Sequence, residues 1–265
     1  MTDRRYRLVG RVRDWSVGTR GWATLDGYAV EGGFDTDDLT TCWSPAVALG
    51  QVLGPGPAAD LWAPGGYEAA LAAAAGLGLD GVRITLEWAR LEPRAGQPDE
   101  AALARYLAVV AAARAAGLAV VVALLDGTWP LWAGAEAWLL PWVRPHFVAH
   151  AARVADALPA GVGVVAAVRP TWLVRAGYLT GEAPPWRRRA RADAASAAAS
   201  LTATLAEARG LPALRAHPVD DGRVRTDRSL VTGAGPLGRP GLLTRDGAHF
   251  TATAAPGAGR PARTP

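Results

Sequence analysis

Four short, nearly continuous apolar runs, separated by longer alanine-rich segments, constrain this chain more than any other feature. They are GYAV at 27–30, VRITL at 82–86, LAVVVALL at 118–125 and VGVVAAV at 162–168. A strand with one solvated face alternates apolar and polar residues, whereas a strand covered on both faces reads as an unbroken apolar run. These four therefore read as buried parallel strands. Candidate helices lie between them, near 66–77, 99–116, 145–157 and 190–209. The second opens with Pro98, Asp99 and Glu100 and closes at Gly117, which are ordinary start and stop signals. Strands alternating with helices predict an α/β fold with a parallel sheet under a helical layer. The spacing exceeds a minimal strand–helix–strand unit, so the loops after the strands are expected to be long and to carry a site.

Composition narrows the chemistry. The 265-residue chain contains no lysine, so all 28 of its basic side chains are arginine. That excludes a Schiff base, a phosphate-loop lysine and a pyridoxal anchor. The single cysteine, Cys42, excludes an internal disulfide and a cysteine-rich zinc site. The formal net charge of +4 is unevenly distributed. Residues 1–212 hold 20 arginines and 20 acidic residues, and residues 213–265 hold eight arginines and four acids. A nucleic-acid-binding face would have to lie on that last segment, so nucleic acid is not the expected partner. The opening stretch MTDRRYRLVGRVRDWS has basic residues but no apolar core of a secretory signal. The longest apolar run is far below the roughly 18 residues that span a bilayer. No membrane contact is expected, and the expected location is the cytoplasm.

Three regions follow from the patterning: an N-terminal extension at 1–20, the strand–helix body at 21–212, and a tail at 213–265. The tail is rich in glycine, proline and arginine, as in GAGPLGRPG and APGAGRPARTP, and lacks a sustained helical or strand period. It is expected to be irregular or disordered.

Several blocks, in collinear order, carry a family resemblance. They are DGYAVEGG at 26–33, GVRITLEWARLEPRAG at 81–96, LLDGTWPLW at 124–132, AWLLPWV at 137–143 and VRPTWLVRAGYLTGEAPP at 168–185. Together they resemble glycoside hydrolase family 1, the β-glucosidase family, over about residues 21–212. The resemblance implies a (β/α)8 barrel, of which this chain supplies about four βα units, a partial barrel with a tail. It also implies retaining hydrolysis of O-glycosyl bonds by two carboxyl groups about 5 Å apart, one the nucleophile and one the general acid/base.

Here the sequence departs from the pattern at the positions that matter most. The acid/base glutamate position is Arg169, and the asparagine position before it is Val168. Arginine stays protonated under ordinary conditions and cannot donate and recover a proton. The sugar-binding glutamine position of the first block is Ala29. The histidine position of the third is Asp126, followed by Gly127. An echo of the nucleophile block appears in LLTRDGAH at 242–249, where Thr244 and Gly247 fit but the glutamate position is Arg245. Either an internal deletion joined the fourth unit to a relic of the seventh, or the chain is a truncated half barrel with an unrelated tail. In both cases the resemblance implies a degenerate member without a catalytic pair, left with sugar binding or a protein-interaction role.

The candidate substrate-binding residues are Arg83, Glu87, Trp88, Asp126, Trp132, Trp138 and Glu31. Arg83 matches the family arginine beside the nucleophile. Glu87 reads either as an ionic partner of Arg83 or Arg90 or as a ligand contact, and Arg169 and Asp126 are expected to pair. Two alternatives stay open: an active glycosidase with displaced carboxylates at Asp126, Glu87 or Glu31, and anion or nucleic-acid binding by the basic tail. No cofactor or metal is expected. His146 and His150 have i,i+4 spacing but no third ligand, and Trp186 with Arg187, Arg188, Arg189 and Arg191 reads as a solvated helix start. A half barrel leaves the edges of its first and fourth strands open, so a homodimer or a partner protein is expected to cover them.

Overall fold

The computed structural model describes residues 21–54, 60–217 and 249–251. Five parallel strands form one sheet: β1 (Trp22–Leu25), β2 (Gly81–Thr85), β3 (Ala119–Ala123), β4 (Gly163–Val165) and β5 (His249–Thr251), in the order β4-β3-β2-β1-β5. Long helices follow the first four strands: α1 (Gly66–Gly76), α2 (Glu100–Ala115), α3 (Val143–Ala157) and α4 (Arg191–Gly210). This is a partial (β/α)8 barrel, as expected. Among the described residues no helix is long and apolar enough to cross a membrane.

The first strand differs from its expected position. It is Trp22–Leu25, and GYAV at 27–30 forms a single helical turn behind it. The Asp26 carbonyl accepts from the backbone amides of Ala29 and Val30, each at 3.1 Å, and closes that turn. Gly27 is required there because a Cβ would lie 2.6 Å from Glu87 Cγ. A four-residue apolar run is ambiguous between strand and helix by periodicity alone. The other three strands and the four helices lie where the apolar runs and the alanine-rich segments place them.

Register gives the sheet two different faces. Ala23, Leu25, Val82, Ile84, Val120, Val122 and Val164 belong to the hydrophobic core, together with Tyr106, Val109, Val110 and Ala113 of α2 and Val154 and Ala155 of α3. Thr24, Arg83 and Val121 are side by side in register on the alternate positions. Side chains alternate between faces along a strand, so Arg83 belongs to the face opposite the helices. β2 is thus apolar toward the helices and polar toward the barrel interior, an alternation concealed by the residues being buried on both faces.

β5 pairs with β1 from Trp22↔His249 to Thr24↔Thr251. The outer edge of β1, expected to stand open, is therefore paired. β4 has no second strand neighbour among the described residues. The described body continues through a short helix, Pro212–Arg215, to His217, whose ring nitrogens lie 2.8 and 3.1 Å from the carbonyls of Ala155 and Val162. Residues 1–20, Arg245 and most of the tail lie outside the described residues.

Candidate functional site

In barrels of this kind chemistry collects at the carboxyl ends of the strands. Asp26 directly follows β1, Glu87 lies two residues beyond β2, and Asp126 and Arg169 follow β3 and β4. Arg83 rises from within β2 to meet them. Parallel pairing therefore gathers residues from distant parts of the chain at one rim.

Asp126 holds this rim together. Its Oδ2 accepts from Arg83 Nη2 at 3.3 Å and its Oδ1 from Arg169 Nη2 at 3.0 Å. The Asp126 side chain is 2% exposed, Arg83 7% and Arg169 26%, so Arg169 is the member that reaches solvent. Its guanidinium also lies over the Trp172 ring, 5.1 Å from the centroid. Burial works against the charged form of Arg169, and the charges of Asp126 and Asp26 with the Asp126 hydrogen bond together outweigh it, so the guanidinium is held above its usual range. Arg169 has a left-handed backbone, φ 52°. Such a conformation costs a non-glycine residue about 1–3 kcal/mol and persists only where surrounding contacts fix it.

Asp26 completes the cluster. Its Oδ1 is buried and accepts no hydrogen bond among the described residues. Burial, reinforced by the Asp126 charge and opposed by Arg169 and Arg83, raises its carboxyl from 3.8 to about 7. A carboxyl poised there can exchange a proton at neutral pH. No reading of the sequence singled out Asp26. The signal was its place next to WATL, once that run is recognised as the first strand.

Glu31 and Glu87 serve an adjoining network. Glu31 Oε1 accepts from the Tyr67 hydroxyl at 2.6 Å, and Oε2 accepts from Arg90 Nε at 2.8 Å and the Tyr106 hydroxyl at 2.9 Å. Arg90 also donates to the Gly32 carbonyl at 2.7 Å and packs over Phe34 and Trp62. Glu87 Oε1 accepts from the Tyr28 amide at 3.0 Å. Burial, with the nearby charges of Asp26 and Glu31, holds Glu87 well above the usual carboxylate range. Glu31 is raised as well, again chiefly by burial.

The candidate tryptophans pack against other aromatic side chains. Trp88 and Trp138 are buried and Trp132 half-buried. Trp88 Nε1 donates to Glu92 Oε2 at 2.8 Å and Trp132 Nε1 to the Glu92 carbonyl at 2.7 Å. Trp88 packs on Phe147, His150 and Trp132, and Trp138 on Trp129 and Phe147. Trp88 and Trp132 thus anchor on Glu92, and Trp138 packs into the aromatic core beside them.

The remaining signals resolve into structural contacts. His150 is stacked on Trp88, and burial lowers it to about 3. Among the described residues no group of three histidine, cysteine, aspartate or glutamate side chains converges as a metal site. Cys42 is buried, and burial pushes its thiol far up. Arg187 pairs with Glu136 and Asp193. A cavity of about 540 Å³, lined by Trp62, Glu68, Arg90, Asp99 and Arg105 among others, opens beside α1 and α2 and includes none of the rim cluster.

No protein-family model and no curated protein sequence matches this chain. Solved structures do. An enzyme designated AHE from Alicyclobacillus herbarius is similar at 22% identity and a TM-score of 0.66, over 74% of this chain and 46% of its own. A β-glycosidase from Pyrococcus horikoshii has 23% identity and a TM-score of 0.61, over 76% and 46%. A β-glucosidase from Exiguobacterium marinum has 22% identity and a TM-score of 0.63, over 72% and 44%. The chain thus has the fold of part of a β-glucosidase and spans about half the length of the structures it matches.

Proposed function

We propose that this chain shares ancestry with glycoside hydrolase family 1, as a degenerate member, and that its strand-end cluster binds a glycoside without cleaving it. One observation carries the reading: Arg169, at the position where the resemblance expects the general acid, is ion-paired with Asp126 at 3.0 Å. A guanidinium so held offers hydrogen bonds but no transferable proton. Loss of a general acid removes about 10²–10⁴ of rate.

The alternative of displaced carboxylates finds less support. Asp126 is shared between two guanidiniums, Glu31 is taken up by Arg90 and two tyrosines, and Glu87 accepts from the Tyr28 amide. Retention needs a nucleophile as well as an acid, and the echo of the nucleophile block has arginine at its glutamate position. Cytoplasmic residence, and a second copy or partner protein along the edge of β4 that has no strand neighbour among the described residues, belong to the same proposal.

Titration of the protein with a panel of methyl β-glycosides, followed by tryptophan fluorescence, tests the binding half. A saturable change that disappears in Asp126→Ala is expected. No saturable response to any member of the panel would contradict it.

A further inference from the structure

We propose that the cavity between the starts of α1 and α2 binds a free α-amino acid. It shares no residue with the rim cluster, so the proposal stands apart from the glycoside reading above.

The cavity measures about 540 Å³, within the range of small-molecule sites, about 300–1,000 Å³. Gly65 and Glu68 wall it at the start of α1, and Asp99, Ala101 and Arg105 at the start of α2. Glu68 and Arg105 satisfy each other, with Nη1 donating to Oε1 at 2.5 Å and Nη2 to Oε2 at 3.1 Å. Neither requires a ligand. The polar groups beside them are different.

Three of those groups are donors. Arg90 lines the cavity although its side chain is only 9% exposed. Its Nε donates to Glu31 and its Nη2 to the Gly32 carbonyl, while Phe34 and Trp62 lie 4.5 and 4.1 Å from its guanidinium carbon and fix its plane. Nη1 has no acceptor among the described residues, yet it is not sealed from solvent. In a side chain so deeply buried, the cavity is the opening that reaches this nitrogen. Trp62 Nε1 is in the same state, without an acceptor among the described residues and not enclosed. The Ala101 amide is the third donor. It lies in the first turn of a 16-residue helix, where the backbone offers it no intrahelical partner, and it makes no other hydrogen bond among the described residues. Guanidinium, indole and helix-start N–H groups together suit a carboxylate.

The acceptor is Asp99. Its Oδ1 caps α2 by accepting from the Ala102 amide at 2.9 Å, and its Oδ2 has no donor among the described residues. A ligand carboxylate brought beside this charge is repelled unless it carries a cation of its own. An α-amino acid does, one carbon away. Its ammonium meets Asp99 Oδ2 while its carboxylate meets Arg90 Nη1, Trp62 Nε1 and the Ala101 amide. A simple carboxylic acid lacks the first contact, and a simple amine lacks the second.

Isothermal titration of the full chain with each of the standard L-amino acids provides the test. The tightest of them is then compared with its deaminated and decarboxylated analogues, the matching carboxylic acid and amine. At least one amino acid is expected to bind saturably, and both analogues to bind about tenfold or more weakly, the effect of one charge-assisted hydrogen bond. Asp99→Asn keeps a good helix cap and removes the charge. It should weaken the amino acid about tenfold without weakening the carboxylic acid. Trp62→Phe keeps a ring and removes the indole N–H, and should weaken the amino acid and the carboxylic acid alike, by about threefold.

No saturable binding by any amino acid would overturn the inference, as would an amine or a carboxylic acid that binds as tightly as the parent amino acid. An amino-acid affinity unchanged in Asp99→Asn would overturn it too. The analogue comparison uses the unaltered chain, so the test is decisive even if a variant does not fold.

Discussion

Arg169 combines a left-handed backbone, a partly exposed guanidinium and a buried carboxylate partner. Asp126 is the reason the three coexist, since it pairs with Arg83 as well and fixes both arginines at one rim. Removing one partner of a buried ion pair leaves the other charge uncompensated, which costs about 3–5 kcal/mol. Asp126→Ala removes the carboxylate that both guanidiniums share, with Arg169 partly relieved by solvent, so a loss of about 3 kcal/mol is expected in urea denaturation. A loss below about 1 kcal/mol would mean the pairs resemble surface salt bridges. Arg169 and Asp126 were legible in the sequence because they occupy fixed places in recognisable blocks. Asp26 was not, for a geometric reason: reading GYAV as the first strand places Asp26 before that strand, away from the site. The strand at Trp22–Leu25 puts Asp26 after it, at the rim.

The start of α2 was more legible than the strand boundaries, because its cap is written in residue types. Asp99 is the N-cap of α2, and its Oδ1 accepts from the Ala102 amide at 2.9 Å. Asp99→Ala should cost about 1 kcal/mol, seen as a lower urea midpoint with an unchanged denaturant slope. A stability equal to the parent's would show that the cap bond contributes nothing. The alanine-rich helices lack a sharp apolar stripe, so their packing faces emerge only in the fold. In α4 those are Ala194, Ala197, Leu201, Leu205 and Ala208, spaced three and four residues apart. Strand lengths were hidden for a similar reason. VGVVAAV suggests seven residues of strand, but only Gly163–Val165 are, and the Val168 amide then bonds the Leu125 carbonyl at 2.8 Å as the chain turns toward Arg169.

At the scale of the whole molecule, the described body is a partial barrel in which β5 covers one sheet edge and β4 leaves the other without a strand neighbour. Unpaired edges invite association. Light scattering coupled to size exclusion should therefore report a dimer or larger species, or a complex with a partner. A monodisperse monomer would remove the second-copy proposal. The parallel strand–helix order was legible because buried strands and helix caps leave local signatures. The pairing of β1 with β5 was not, since it joins residues more than 200 positions apart and no local pattern encodes it. The central claim concerns chemistry at the rim, where an arginine occupies the acid's place. The most direct measurement is release of para-nitrophenol from para-nitrophenyl β-glucoside and β-galactoside by the purified chain. The expected rate is that of buffer alone; saturable turnover that is abolished by Asp126→Asn would contradict it.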